Sequence, residues 1–102
     1  MLACDRTPSA TPLGFAELSI RAAVEGCTTD RVAYLEGWYV EPTHRRRGIG
    51  AALVRAAEAW AREEGCAEMG SDVELDNDTS IAAHARLGFK EAGRVVLVRK
   101  DL

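Results

Sequence analysis

An α/β (mixed α+β) domain around one central mixed sheet is expected for this chain of 102 residues. Three features carry that expectation. Residues 32–40, "VAYLEGWYV", are rich in aromatic and β-branched residues and make the strongest strand signal in the chain. From Ile49 onward the apolar residues recur with a helical period instead. A buried-strand pattern, "CAEMGSDV", then follows that helix with little spare loop, which argues for a right-handed parallel crossover. The length suits one small domain, and the coarse order β-β-α-β-α-β-β wraps two helices around a single sheet.

Residues 1–12 hold two prolines and several small polar residues and read as a disordered leader, which leaves residues 13–102 as the domain. Gly14–Arg21 alternates well enough for a strand. "AAVEGCTTD" is a turn or loop. The strand Val32–Val40 stops at Glu41-Pro42, because proline cannot donate to a ladder. Ile49, Leu53, Ala57 and Trp60 share one helical face, with Val54 and Ala61 beside it, while Glu58 and Arg62 form an (i, i+4) pair on the polar side. Gly65 is a natural C-terminal stop. "ELDNDTS" is an acidic loop with capping residues, and Ser80–Leu87 is a short helix that Gly88 ends. "FKEAGRVVLVRK" completes the pattern as a final strand or hairpin.

Composition narrows the function classes. Hydrophobic residues make up 47% and charged residues 28%, as in a globular domain, and the net charge is −3. General attraction to nucleic acid or to a membrane is not expected at that charge. Cys4, Cys27 and Cys66 are odd in number, widely spaced and form no CxxC pair, so neither a disulfide framework nor a metal site is expected. No apolar stretch reaches the length of a membrane span, and "MLACDRTPSATP" has no apolar signal core. A cytoplasmic protein is the expectation.

Against this acidic background, Arg45, Arg46 and Arg47 run directly into Gly48-Ile49-Gly50. The first turn of a helix has unpaired N–H groups and a partial positive charge. Glycines let an anion approach the backbone, and arginines add charge-assisted hydrogen bonds. The stretch lacks the Walker A pattern, and Leu53 stands where a dinucleotide fingerprint needs its third glycine. On spacing alone, an anion cradle and a solvated basic turn are equally good readings.

The pattern Arg45-x-x-Gly48-x-Gly50, between a strand and a helix, resembles the pyrophosphate loop of the GCN5-related N-acetyltransferases. Asn77, seven residues before His84 and followed by Leu87-Gly88-Phe89, resembles that family's second signature. "GFAELSIR", "YLEGWYVEPTHRRRGIGAALV", "GCAEMGSD" and "HARLGF" are similar to the aminoglycoside 6′-N-acetyltransferases, and the resemblance runs from about Leu13 to the C-terminus. It implies the family's fold, with acetyl-CoA as co-substrate and a primary amine as acceptor. Family members carry a further strand, two helices and another strand ahead of the part that begins near Leu13. The expectation is therefore an N-terminally truncated domain. "SIRAAVEGC" is also shorter than its counterpart in relatives, and it lacks the aromatic residue that can help to hold a sugar.

The resemblance assigns roles residue by residue. Arg45, Arg46, Arg47, Gly48, Ile49 and Gly50 would hold the pyrophosphate. Trp38, Tyr39 and Val40 would pair with the pantetheine arm through their main chain, with the Val40 N–H polarising the thioester carbonyl, while the Trp38 and Tyr39 side chains pack. Glu36, a carboxylate in an apolar run, must be paired or hydrogen-bonded; it would bind or deprotonate the amine, unless it serves only as the partner of a structural arginine. Asp72 would bind the amine, whereas Glu74, Asp76 and Asp78 read as a solvated capping loop. Asn77 would meet the pantetheine arm, cap the last helix, or do both. His84 stands where many relatives place a tyrosine that protonates the thiolate, and a hydrogen-bonded helix histidine is an equally good reading. His44 reads as a loop residue.

The expected function is acetyl transfer from acetyl-CoA to the 6′-amine of an aminoglycoside, by a homodimer, with antibiotic inactivation as its consequence. Two rivals stand beside it: transfer to another small amine, and a weakly active CoA-binding remnant stable only as a dimer.

Overall fold

The computed structural model describes residues 2–4, 12–42 and 48–102. They form strand β1 (Leu2–Cys4), β2 (Pro12–Arg21), β3 (Val32–Val40), helix α1 (Ile49–Glu63), β4 (Glu68–Ser71) and helix α2 (Asp78–Arg86). The chain divides into two compact units, Met1–Asp72 and Val73–Leu102.

In the first unit the strands lie in the order β1-β2-β3-β4. β1–β2 and β2–β3 are antiparallel, and β3–β4 is parallel, so α1 is the expected crossover helix. β1 is a strand where the sequence suggested only a leader. Three residues carry little strand signal of their own, and pairing with β2 at Leu2↔Phe15 and Ala3↔Gly14 is what extends them.

Helix α1 begins at Gly48, whose φ of 76° places it in the left-handed region that favours glycine. It buries Leu53, Val54, Ala57 and Ala61, while Ile49 and Trp60 stay half-buried. The buried stripe is thus centred one step round from the face that periodicity suggested. Ala61 packs with Ala33 of β3 and with Cys66, and Ile20, Trp60 and Met69 close over them. The solvent side carries the Glu58–Arg62 pair at 3.8 Å. At the far end, Gly65 takes φ 80° and its N–H donates to Arg62 O at 3.1 Å, a glycine stop as expected.

The loop between β2 and β3 is tied down by one carboxylate. Glu68, the first residue of β4, accepts from the Thr28 N–H at 3.0 Å, the Thr29 N–H at 2.7 Å and the Thr29 hydroxyl at 2.5 Å. These bonds, the Thr29 hydroxyl foremost, hold its carboxyl below the usual range.

In the second unit, Asn77 caps α2 by accepting from the Ser80 N–H at 3.1 Å. Gly88, at φ 94°, ends the helix. Replacing Asn77 with alanine should cost about 1 kcal/mol, visible as faster hydrogen exchange of the α2 amides; unchanged exchange would rule the cap out as a stabilising contact.

The expected final strand is not formed. Residues 89–102 contain no helix or strand, and Val96, Leu97 and Val98 are 82%, 92% and 90% exposed. Strand propensity is realised only when the backbone is paired, and no described strand pairs with this segment.

Candidate functional site

Two features of the first unit meet on β3. The first is a divergence of strands. β3 pairs with β2 along its whole length but with β4 only from Val32 to Leu35. Where β4 leaves, the Ser71 hydroxyl donates to Leu35 O at 3.2 Å. Val40 sits opposite Gly14 while the Glu41 N–H donates to Leu13 O at 2.7 Å. N–H groups alternate in direction along a strand, so Trp38 and Val40 turn theirs away from β2, toward the side that β4 has left.

The N-terminus of α1 adjoins this part of β3. The Trp38 indole N–H donates to Gly50 O at 3.2 Å, and a Cβ on Gly50 would lie 3.1 Å from the Trp38 ring. Gly50 therefore lets the indole pack against the first turn of the helix, the packing role expected for that side chain. The Tyr39 ring stacks on Phe15 across the strand pair at 5.7 Å and is 39% exposed. Gly48 takes the left-handed turn, Ile49 and Gly50 start the helix, and no side chain caps it. Arg45, Arg46, Arg47 and His44 lie outside the described residues.

The second feature is a polar network on one face of the sheet. Glu17 pairs with Gly37 but Leu18 with Leu35, so Glu36 is the extra residue of a β-bulge. Bulges re-aim side chains, and here the carboxylate meets two residues of β2. Glu36 Oε1 accepts from Ser19 Oγ at 2.7 Å and from Arg21 Nε at 2.9 Å, and Arg21 Nη2 reaches both carboxylate oxygens at 2.6 Å. The Arg21 guanidinium lies over the Tyr34 ring, 3.6 Å from its centroid. The Tyr34 hydroxyl in turn donates to Asp72 Oδ2 at 2.5 Å. Glu36 and Asp72, distant in sequence, are thereby joined through Arg21 and Tyr34.

The electrostatics follow from these partners. The Ser19 hydroxyl, then Arg21, holds the Glu36 carboxyl below its usual range, so it is ionised at neutral pH and a poor base toward an ammonium. Burial, then the hydrogen bond to Asp72, pushes the Tyr34 phenol up to about 12. A group whose folded pKa is raised contributes fully below its unfolded value, and the contribution is lost as pH climbs through the folded one. An absorbance titration should accordingly show one tyrosine ionising near 12, absent from Tyr34→Phe; an identical curve for both proteins would refute the assignment.

His84 belongs to the second unit. Its Nδ1 lies 2.8 Å from Ser80 O. A carbonyl only accepts, so Nδ1 carries the hydrogen, and any proton transfer would fall to Nε2. The ring is buried and meets Phe89 edge-on at 5.1 Å.

Sequence reasoning singled out Glu36 and Asp72 but missed Ser19, Arg21, Tyr34 and Ser71. Alternation along β2 does place Ser19 and Arg21 on one face, and that was the available signal. Which residues of β2 lie beside Glu36 is a property of pairing.

Known proteins share this framework. A model of the acetyltransferase (GNAT) family matches residues 4–89. An aminoglycoside N(6′)-acetyltransferase type 1 of Klebsiella aerogenes is 54% identical over 95 residues, covering 93% of this chain and 62% of the relative. A Stenotrophomonas maltophilia protein of the same name is 43% identical, covering 88% and 60% respectively. Among solved structures, AAC(6′)-Iy with the bisubstrate analogue CoA-S-monomethyl-acetylneamine superposes with a TM-score of 0.86 at 39% identity, over 94% of this chain and 66% of that one. The same enzyme with CoA gives 0.89 at 38% identity, over 99% and 74%. This chain spans about 60% of the length of the curated relatives it matches. A family match over most of the chain, on a sheet whose β3 and β4 part beside the start of α1, places this protein in the acetyltransferase (GNAT) family.

Proposed function

We propose that this chain takes part in acetyl transfer from acetyl-CoA to a primary amine of a small cationic substrate, the 6′-amine of an aminoglycoside being the favoured acceptor. The observation that carries this reading is the parting of β3 from β4 after Leu35, next to a helix start built on Gly48 and Gly50. The relatives' names and the CoA-bound AAC(6′)-Iy structure supply the chemistry.

In this reading the Trp38–Val40 main chain lines the pantetheine arm, and the Val40 N–H polarises the thioester carbonyl. Backbone N–H groups from Gly48 to Gly50, with Arg45, Arg46 and Arg47, hold the pyrophosphate. Glu36 and Asp72 bind the acceptor ammonium. Glu36 acts as an anchor rather than as the base, because its carboxyl is held low. Asn77 has its side-chain oxygen engaged in the cap, so its amide is the part that would face a cofactor. His84 Nε2, which carries a proton only when the ring is the imidazolium, is the candidate donor of a proton to the thiolate. The protein is proposed to be cytoplasmic; no described helix is long and apolar enough to cross a membrane.

Thiol release from acetyl-CoA with kanamycin or tobramycin tests the reading. Release with an aminoglycoside supports it, whereas release only with spermidine or amino acids would move the acceptor to another small amine. A second reading, a weakly active CoA-binding domain that self-associates, draws on the exposed Val96–Val98 run. Thermal stabilisation by CoA with no turnover of any amine would select it. Light scattering tests the homodimer common to both.

A further inference from the structure

The polar network holds a cation already. We infer that Arg21 is a resident counter-ion of the acceptor site, which the substrate ammonium displaces from Glu36 and which returns to Glu36 once the product is neutral. The inference rests on the proposal that Glu36 binds the acceptor amine.

Four observations carry it. Arg21 engages both oxygens of Glu36, Nε donating to Oε1 at 2.9 Å and Nη2 to Oε2 at 2.6 Å, the bidentate geometry that matches a carboxylate best. With Ser19 added, Oε1 accepts from three donor atoms. An incoming ammonium therefore meets a carboxylate whose charge is already compensated. The pair is accessible, the two side chains being 43% and 33% exposed, so the guanidinium can leave without opening the core. Exposed pairs are weak, which makes exchange with a second cation easy. Finally, Arg21 rests on Tyr34, whose hydroxyl is bound to Asp72, so the resident cation covers the ring that links the two acids.

The reaction removes the charge that drives the exchange. Attack forms the C–N bond and breaks the C–S bond. The nitrogen gives up two protons in all, one to the thiolate and one to solvent, and the amide product is neutral at that nitrogen. A neutral amide cannot compete with a bidentate guanidinium. Arg21 then re-forms its pair and favours product release.

The test uses the full chain and does not depend on turnover. Spermidine is titrated calorimetrically into the wild type, Arg21→Gln, Arg21→Lys and Glu36→Gln. Arg21→Gln should bind roughly fivefold more tightly, the scale expected for losing an exposed competing pair. Arg21→Lys should stay near the wild type, and Glu36→Gln should bind more weakly. A residue that merely holds Glu36 in place would give the opposite sign for Arg21→Gln. In nitrogen-correlated NMR spectra the Arg21 Nε–H signal should shift on adding spermidine and not on adding N-acetylethanolamine. Weaker or equal binding by Arg21→Gln, an Arg21 signal indifferent to spermidine, or no binding by any of the proteins would each overturn the inference. Aminoglycoside turnover, measured separately, decides the acceptor reading by itself.

Discussion

Glu36→Gln should lower kcat/KM for the acceptor about 10- to 100-fold while leaving the Kd for CoA within about twofold. The first figure is the usual effect of losing a charge-assisted contact to a bound group. The second follows from position. Glu36 projects from the bulge toward Ser19 and Arg21 of β2, whereas the proposed CoA contacts are the Trp38–Val40 main chain and the start of α1. The melting temperature should hardly move, because the Glu36–Arg21 pair is exposed and such pairs contribute little to stability. Calorimetry with CoA, steady-state kinetics with the amine and a melting curve separate these effects. Parallel losses in CoA affinity and turnover would show that Glu36 shapes the strand rather than the acceptor site.

Leu35→Ala should show the reverse pattern, a large loss of stability before any specific loss of binding. Leu35 is 2% exposed, and it sits at the last position where β3 pairs with β2 and β4 together. Truncating a buried leucine costs about 2–5 kcal/mol. A domain of this size has a total stability of about 5–15 kcal/mol, so the melting temperature should fall by on the order of 10–20 °C. Val96→Ala is the control: its side chain is 82% exposed, and the change should stay within about 0.5 kcal/mol. A Leu35→Ala loss below about 1 kcal/mol would mean that the junction of the three strands is not tightly packed.

The two variants neighbour each other in sequence, yet their expected effects differ because successive side chains of a strand face opposite sides of the sheet: Leu35 enters the packed interior, and Glu36 lies on the face of Tyr34, where Ser19 and Arg21 of β2 meet it. Which residues of β2 lie there is set by strand pairing, and that is the limit of sequence reading. The apolar period of "IGAALVRAAEAWARE" was enough to predict α1, and the β-branched and aromatic run was enough for β3, because both signals are local. Gly65, Gly88 and Asn77 were legible as helix ends for the same reason: a left-handed φ or an N-cap constrains residue type at that position alone. β1 and the C-terminal segment depart from the expectation in opposite directions. Leu2–Cys4 is a strand because β2 lies beside it, and "RVVLVRK" is not, because no described strand does.

By itself, then, the sequence determined the helices, the long strands and the glycine-bearing helix start, which depend on neighbours a few residues apart, and the parallel crossover, which follows from the order strand, helix, strand. Only the tertiary structure decided that β4 parts from β3 after Leu35, that Gly50 makes room for the Trp38 indole, and that Glu36 is met by Ser19 and Arg21 while Tyr34 reaches Asp72. These contacts span 12 to 38 positions of chain. They depend on strand register and on one bulge, and a one-residue shift in pairing turns every side chain to the other face of the sheet.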